Sequence, residues 1–357
     1  MTGAATDIVS LRMLHILSDM LLIHEAKEFP VTAKGAVLCV GNFDGVHLGH
    51  QRMLSEGKRL ARERKLHFVV MTFDPHPMRI LRPHQPRQPL MTATQRLETL
   101  KEFEPDVLWL VKTDQAFLGM TAEDFMRTIM VNTIAAKAVV EGSNFTFGKG
   151  AEGTVNTLRA KAAQLGWEMV IIPTQRAVLQ DLSFVDVSSS LIRWLTSHGR
   201  VMDAKRLMGR PYTLRGTVVH GAGRGTIMGY PTLNIQSEQL LPAFGVYAGQ
   251  ATIAQKSYPA AISIGSNPTF NGTQTTVEAF VLDFSDFVYD QQVDLQFISW
   301  LRDQYKFAGP DALKSQIYRD VEQIRQRLIG AVKDLTAPAV EGPDSAAPVD
   351  SSSTARK

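Results

Sequence analysis

The most constraining feature of the sequence is a regular alternation of short apolar runs and longer amphipathic runs from Ala36 to Pro173. The apolar runs have the length of strands, and the runs between them repeat apolar residues every three to four positions, as helices do. Strands that alternate with helices predict a parallel sheet with helices packed on its faces. The strand candidates are AVLCV, HFVVMTF, VLWLV, AKAVVEG and EMVIIP.

The pattern changes after Pro211, where six strand-like stretches follow one another with Gly, Pro and Asn turns between them. Strands without intervening helices predict an antiparallel β-barrel or sandwich. The six stretches are TLRGTVVHG, YPTLNI, GVYAGQATIA, YPAAISIG, TVEAFVLDF and VDLQFISWL. A terminal helix is predicted for PDALKSQIYRDVEQIRQRLIG, whose apolar residues recur at spacings of three and four.

These patterns predict four segments, and a chain of 357 residues is long enough for two domains with separate cores. The last segment is rich in Pro, Ala and Ser and has few large apolar side chains, so it is predicted to be disordered. The segments are an N-terminal segment (1–33), an α/β domain (34–200), a β-domain with the terminal helix (201–332) and a tail (333–357).

Composition indicates the cellular compartment and the partners of the protein, and it says little about its activity. The net charge of +3 gives no reason to expect a nucleic acid partner. The single Cys39 excludes an internal disulfide framework and fits a reducing compartment. No apolar run reaches the roughly 18 residues of a membrane span. We therefore predict a cytoplasmic protein without membrane contact, and the sequence leaves the oligomeric state open.

The stretch VGNFDGVHLGH places two histidines directly behind the first predicted strand. His47 falls in the turn and His50 in the first turn of the following helix, at the carboxyl edge of the sheet. That edge binds ligands in open α/β folds, and the free amides of a helix N-terminus favour anions. Two imidazoles would add directed donors for a phosphate chain. An ordinary pair of histidines and a metal site remain alternatives, although His47, His50 and Asp44 make an incomplete set of metal ligands.

The motif H-x-G-H after a first strand is the signature of the nucleotidylyltransferase superfamily, and GNFDGVHLGH resembles the bifunctional riboflavin kinase/FAD synthetase (FMN adenylyltransferase) family of bacteria. Three later motifs resemble the flavin-side loop, the FGxxxxG segment and the ISSTxIR helix start of that family. They are TFDPHP (72–77), NFTFGKGAEG (144–153) and SSSLIR (188–193). The resemblance implies a Rossmann-like nucleotidylyltransferase domain followed by an antiparallel riboflavin kinase barrel.

The resemblance also implies roles for the residues of the first domain. In adenylyl transfer the FMN phosphate attacks the α-phosphorus of ATP, so positive charge and aligned donors are needed, and a general base is not. His47 and His50 would stabilise the phosphates as catalytic residues, and Arg193 would hold the β- and γ-phosphates and later pyrophosphate. Further ATP-binding residues would be Asn42, Phe43, Asp44, Gly49, Ser189 and Ser190, and FMN-binding residues Asp74, His76 and Asn144.

The FGxxxxG segment departs from the family pattern. Many members carry an arginine within DFRFG, where this chain has Asn144 and Thr146. If that arginine holds the FMN phosphate, another residue must replace it here, and Lys149 is the nearest candidate.

The stretch GTVVHGAGRGTIMGYPTLNI (216–235) is rich in glycine but lacks the P-loop pattern. Glycine density alone is also typical of a turn-rich barrel. The more specific part is GYPTLN, which resembles the riboflavin kinase motif G-[FY]-P-T-A-N. The resemblance implies that Thr232 and Asn234 hold the Mg²⁺ of ATP, whose preference is for oxygen ligands. The ATP-binding residues of this domain would also include Gly221, Arg224, Gly225 and Gly229.

Riboflavin phosphorylation needs a base, because the 5′-hydroxyl is a neutral alcohol. Glu278 lies in the strand candidate TTVEAFVLDF, where alternation places it with Phe280 on one face and Val277 with Ala279 on the other. A glutamate facing solvent is the alternative, and the resemblance favours the catalytic base. Arg302 lies in LRDQYKF, where the resemblance implies a flavin-binding loop.

The predicted function is therefore a two-step enzyme with separate active sites. The second domain would convert riboflavin and ATP to FMN, and the first would convert FMN and a second ATP to FAD and pyrophosphate. Three alternatives remain open from the residues: a nucleotidyltransferase with another acceptor, such as a pantetheine phosphate or a nicotinamide nucleotide; a flavin-binding regulator without activity; and an enzyme that has kept only the kinase.

Overall fold

Five apolar runs of the N-terminal half form five of the six strands of a parallel sheet. This computed structural model describes residues 20–84, 87–221, 225, 229–269 and 272–334. The strand order is β1-β4-β3-β2-β5-β8. All four residues of β2 are buried, as expected for a parallel strand covered on both faces. The strands are β1 (Leu21–Ile23), β2 (Val37–Val40), β3 (Phe68–Asp74), β4 (Val107–Lys112), β5 (Ala138–Gly142) and β8 (Glu168–Ile172).

The outermost strand, β1, was not predicted from the sequence. It contains three residues and pairs in parallel with β4 through Leu21 opposite Val107 and Ile23 opposite Trp109. This half also contains two separate two-stranded antiparallel sheets. They are β6 (Thr146–Phe147) with β7 (Gly153–Thr154), and β9 (Arg176–Val178) with β10 (Phe184–Asp186).

Helices follow the strands at the predicted places. At the start of one of them the hydroxyl of Thr121 accepts a hydrogen bond from the backbone N–H of Asp124 and so caps the helix. This helix continues as a π-helix (Met126–Thr133). The α-helices of this half are α1 (Leu48–Arg64), α2 (Pro77–Leu81), α3 (Ala93–Lys101), α4 (Gln115–Leu118), α5 (Ala122–Phe125), α6 (Val155–Leu165), α7 (Ser189–Ser197) and α8 (Val201–Met208).

The six predicted strands of the C-terminal half close into an antiparallel barrel in the order β11-β12-β15-β14-β13-β16. Its interior is filled by alternate residues such as Leu214, Ile262 and Phe297, each 0% exposed. The terminal helix α9 (Pro310–Asp334) packs Ile324 and Leu328 on the outer face of the barrel. The strands are β11 (Tyr212–Val219), β12 (Leu233–Gln236), β13 (Gly245–Ile253), β14 (Lys256–Thr269), β15 (Gly272–Val281) and β16 (Gln292–Arg302).

The barrel is docked directly against the turn that carries the two histidines. Arg210, just before β11, donates hydrogen bonds to the carbonyl oxygens of Gly45 (2.8 Å) and Val46 (3.0 Å). The side chain of Gln51 donates to the carbonyl oxygen of Met208 at 2.7 Å. One apolar cluster contains buried residues of both halves. The predicted architecture, a parallel α/β domain followed by a barrel with a terminal helix, is confirmed.

Further predictions concern the two ends of the chain and membrane-spanning segments. Residues 1–19 and 335–357, which include nearly all of the predicted tail, lie outside the described residues. Among the helices that the structure describes, none combines the length and the apolar character needed to cross a membrane.

Candidate active sites

The two histidines lie where the sequence placed them, at the carboxyl edge of the parallel sheet. A tight turn after β2 takes Phe43 and Val46 through positive φ angles of 48° and 33°. His47 is then the N-cap of α1, and its Nδ1 atom accepts a hydrogen bond from the backbone N–H of His50 at 3.4 Å. The two imidazole rings stack with their centroids 3.7 Å apart. The turn therefore presents both rings together at the start of a helix.

Burial keeps both imidazoles neutral. It lowers the pKa of His47 to about 4, and burial together with the adjacent His47 ring lowers the pKa of His50 well below its usual value. Because Nδ1 of His47 accepts a backbone hydrogen bond, the proton of its neutral ring lies on Nε2. Neutral rings offer directed N–H donors to an anionic ligand without adding a full positive charge to the site.

The depressed pKa of His47 predicts a loss of stability in acid. Between pH 6.5 and about pH 4 the unfolded chain binds a proton at this residue and the folded chain does not, so the free energy of unfolding falls across that window. A shift of this size corresponds to about 3 kcal/mol. Urea unfolding across the window should show a smaller loss for His47→Ala than for the unchanged protein. Equal losses in the two proteins would contradict the prediction.

Asp44 lies behind the histidines and connects three parts of the first domain. Its carboxylate is 2% exposed, accepts hydrogen bonds from the backbone N–H groups of Leu90 (3.0 Å) and Met91 (3.2 Å), and forms an ion pair with Arg193. Burial raises the pKa of Asp44, and the nearby arginines oppose that rise. The hydroxyl of Ser189 donates to the backbone oxygen of Asp44 at 2.7 Å, which fixes the start of α7 beside the turn. Asp44 thus holds Arg193 in place.

A pocket of about 250 Å³ opens beside this ion pair and is lined by four arginines and three carboxylates. Arg96 is 4% exposed and is fixed by hydrogen bonds to the backbone oxygens of Phe73 (2.7 Å) and Asn42 (3.2 Å). Burial and the arginines also lower the pKa of His76 to about 4. The charged and imidazole side chains that line the pocket are Asp44, Asp74, His76, Arg79, Arg87, Arg96, Arg193 and Glu238. Four guanidinium groups make this pocket suitable for phosphate groups.

The structure brings together only part of the predicted nucleotide and flavin set. Asp44, Asp74, His76 and Arg193 line one pocket. Other predicted residues lie outside its lining and are exposed: Asn42, Asn144 and Ser190. Sequence reasoning missed Arg79, Arg87 and Arg96. The last of these lies in a regular amphipathic helix, where an arginine gives no signal of burial.

A second group of predicted residues forms a row across the outer face of the barrel. The backbone register pairs Asn234 with Glu278, Glu278 with Ser263, Ser263 with Val246, and Val246 with Arg302. Residues directly opposite each other in antiparallel strands point to the same face. With neighbouring strands about 4.8 Å apart, the three strand spacings between Glu278 and Arg302 span about 14 Å. The row therefore runs from the predicted metal ligands, past the predicted base, to the predicted flavin residue.

The face assigned to Glu278 by alternation is confirmed. Val277 and Ala279 point into the barrel and are buried, whereas Glu278 and Phe280 are partly exposed on the outside. Tyr230 packs edge-on against Phe280, with ring centroids 5.2 Å apart. Glu278 is thus beside the GYPTLN motif and accessible to a ligand.

Gly221 and Gly225, the described glycines at the start of the glycine-rich stretch, lie close to the predicted metal ligands and Tyr230. A Cβ atom on Gly221 would overlap the side-chain amide of Asn234, and one on Gly225 would overlap the backbone oxygen of Tyr230 and lie 3.4 Å from Oγ1 of Thr232. Position 225 therefore requires glycine, and a side chain at position 221 would displace the amide of Asn234. Of the other residues predicted to bind ATP here, Gly229 has a φ angle of +81° and Arg224 lies outside the described residues.

Arg302 is anchored to the terminal helix. Its Nε and Nη2 atoms donate to the buried carboxylate of Asp320 at 3.0 and 2.7 Å, and its guanidinium lies 5.1 Å from the ring centroid of Tyr305. The following loop returns over the outer face, where the amide of Gln304 donates to the hydroxyl of Ser263 at 2.8 Å. The loop thus reaches the row next to Glu278.

The arrangement defines a two-domain transferase, in which a nucleotidyltransferase sheet with an H-x-G-H turn precedes a kinase barrel. Family models agree with both halves: FAD synthetase matches residues 30–185 and riboflavin kinase matches residues 208–328. The chain belongs to the bifunctional riboflavin kinase/FMN adenylyltransferase family. It is an enzyme that carries the adenylyltransferase first and the kinase second, as predicted from the motifs.

Curated relatives match over most of their length. The chain is 32% identical to the bifunctional riboflavin kinase/FMN adenylyltransferase of Listeria monocytogenes, over 81% of this chain and 91% of that protein. It is 31% identical to the enzyme of that name from Escherichia coli, over 84% and 94% of the two chains. A crystal structure described as a macrolide-efflux protein from Streptococcus pneumoniae superimposes with a TM-score of 0.76 and 31% identity, covering 86% of this chain and 98% of that one.

Proposed function

We propose that the interdomain arginine pocket and the H-x-G-H turn form the site at which FMN and ATP give FAD and pyrophosphate. The observation that carries this assignment is the joint placement of the stacked His47 and His50 rings and the Arg193–Asp44 ion pair at one sheet edge. We assign this reaction to residues 34–200 and riboflavin phosphorylation to residues 201–332.

The chemistry of adenylylation fits the charges of this site. The FMN phosphate is already anionic, so it attacks the α-phosphorus without a general base, and charge grows on the phosphate oxygens and on the leaving pyrophosphate. The Nε2–H group of neutral His47, the N–H of the stacked His50 ring and the amides of α1 donate to the α-phosphate oxygens. Arg193 neutralises the β- and γ-phosphates and the departing pyrophosphate.

For the kinase, we propose that Glu278 removes the proton of the riboflavin 5′-hydroxyl. Its carboxylate lies in the row between Asn234, which is placed at the ATP end, and Arg302, which is placed at the flavin end. The hydroxyl oxygen then attacks the γ-phosphorus of ATP, and ADP leaves. Arg302 and its anchored loop hold the flavin ring.

The kinase family implies a divalent metal ion, and the residues of the outer face fit one. Thr232 and Asn234 offer neutral oxygen atoms, and Gly221 and Gly225 bring the backbone close to Asn234 and Tyr230. Such ligands, with several positions left for water and phosphate oxygens, favour Mg²⁺. A bound Mg²⁺ would neutralise charge on the ATP phosphates, and Thr232 and Asn234 would hold it.

A single assay tests both halves of this proposal. Purified protein is incubated with riboflavin, ATP and Mg²⁺, and riboflavin, FMN and FAD are separated by chromatography with fluorescence detection. The expected result is FMN first and FAD later, with pyrophosphate formed in step with FAD. FMN without FAD would contradict the assignment of the arginine pocket, and no flavin product would contradict both assignments.

We propose that Lys149, the nearest basic residue in the chain, replaces the arginine that is missing from the FGxxxxG segment. It is exposed at the start of a short 3-10 helix (Lys149–Ala151). Lys149→Ala should raise the KM for FMN in adenylylation about tenfold, because one charged hydrogen bond to the phosphate is lost. The KM for ATP and the rate of riboflavin phosphorylation should stay unchanged. Lys161→Ala, which removes an amine from α6, is the control and should leave the KM for FMN unchanged. An unchanged KM for FMN in Lys149→Ala would refute the assignment.

A further inference from the structure

Residues 88–91, called here the interdomain strap, contact both domains. On the adenylyltransferase side the carboxylate of Asp44 accepts hydrogen bonds from the backbone N–H groups of Leu90 and Met91. Arg193 donates from Nε to the backbone oxygen of Gln88 at 3.4 Å. The strap therefore supports both members of the Asp44–Arg193 ion pair.

On the barrel side the strap is held by Gln239, which is 0% exposed. The amide nitrogen of Gln239 donates to the backbone oxygens of Leu90 (2.9 Å) and Thr213 (3.0 Å), and its Oε1 atom accepts from the backbone N–H of Arg215 (2.8 Å). The backbone N–H of Leu240 donates to the oxygen of Pro89 at 3.0 Å. Leu90 thus has its N–H bound to a carboxylate of one domain and its carbonyl bound to an amide of the other.

We propose that Gln239, a barrel residue, is a positioning residue for adenylyl transfer in the other domain. Gln239 fixes the Leu90 peptide, the Leu90 N–H fixes the carboxylate of Asp44, and Asp44 fixes the guanidinium of Arg193. The inference rests on the phosphate-binding role proposed above for Arg193. Charged hydrogen bonds from Arg193 to the ATP phosphates depend on where its guanidinium is held, so a buried amide that fixes the Asp44–Arg193 pair affects ATP binding through that pair. Gln239 borders the arginine pocket, and its side-chain amide is bonded to Leu90, Thr213 and Arg215.

Gln239 also has a barrel role, and the two roles are separable in one protein. Its bonds to Thr213 and Arg215 lie within the barrel, whereas its bond to Leu90 crosses to the other domain. Riboflavin phosphorylation by the same sample reports the integrity of the barrel. Adenylylation of added FMN reports whether the strap holds Asp44 and Arg193 in position.

The test uses the full chain with Gln239→Met, which keeps the length of the side chain and removes the amide. We expect the KM of adenylylation for ATP to rise about tenfold, since the Leu90 peptide no longer holds the Asp44–Arg193 pair and Arg193 loses part of its charged hydrogen bonding to the phosphates. The KM for FMN and the rate of riboflavin phosphorylation should be unchanged. Glu98→Gln is the matched control, because it weakens the ion pair between Glu98 and Arg215 (2.9 Å), which joins the same domains away from the strap.

Three outcomes would overturn the inference. They are an unchanged KM for ATP in Gln239→Met, an equal rise in Glu98→Gln, and a parallel loss of both activities in Gln239→Met, which would indicate a structural role alone. Arg193→Lys separates this inference from the proposed function. If Arg193→Lys impairs adenylylation and Gln239→Met does not, only the inference fails, whereas full activity of Arg193→Lys would refute the role of Arg193 itself.

Discussion

Replacing Glu278 by Gln is expected to abolish riboflavin phosphorylation while the same protein still converts added FMN to FAD. The glutamine side chain has nearly the same shape but cannot take the proton of the 5′-hydroxyl. A positioned base contributes about 10²- to 10⁴-fold to a proton-transfer step, so the kinase turnover should fall by that order. Chromatography of flavins after incubation with riboflavin and ATP measures the first activity, and incubation with FMN and ATP measures the second.

The control for this variant is Glu322→Gln, an equally conservative change on an exposed position of α9. It should leave both activities unchanged. Unchanged phosphorylation in Glu278→Gln would mean that Glu278 is a glutamate that only faces solvent, the alternative that alternation in β15 left open. A loss of both activities would mean that the exchange has disturbed the fold, and the assignment of a base would have no support.

The sheet and the barrel were predictable because their patterns depend on local burial. Parallel strands covered on both faces are continuous apolar runs, so β2 to β5 and β8 were all recognisable, and barrel strands are marked by alternation and turns. The strand β1 was not recognisable, because Leu21–Ile23 is too short for a pattern and is recruited by its parallel neighbour β4. The π-helix (Met126–Thr133) likewise leaves no distinct mark in an amphipathic stretch.

Site residues were predictable only where their place in the chain, next to a well-defined strand or helix end, fixes their position in the fold. His47 and His50 follow directly from the boundary between β2 and α1, which the sequence defines well. The pairing of Asn234 with Glu278 depends on the register of two strands that are distant in the chain, and a single sequence does not contain that register. Gln239 was missed for a similar reason, since only its tertiary partner, the Leu90 carbonyl, distinguishes it from an ordinary polar residue in a turn.

The second large effect is expected from His47→Ala combined with His50→Ala, which should nearly abolish FAD formation from FMN. Removal of one preorganised donor from a developing oxyanion costs about 10²- to 10³-fold in turnover, and both donors are lost here. Riboflavin phosphorylation should continue at the rate of the unchanged protein, because the barrel carries its own site. The measurement is FAD formation from FMN and ATP, with FMN formation from riboflavin in the same preparation as the internal control.

The protonation state of the histidines adds a second, independent test of the same role. Because the pKa of His47 is about 4, its ring stays neutral from pH 6 to pH 8, and adenylylation should not accelerate as the pH is lowered through that range. An increase in rate with falling pH that disappears in His47→Ala would show that the imidazolium is the active form. Normal FAD synthesis in the double variant would instead remove both rings from the phosphate site and leave Arg193 and the amides of α1 as its donors.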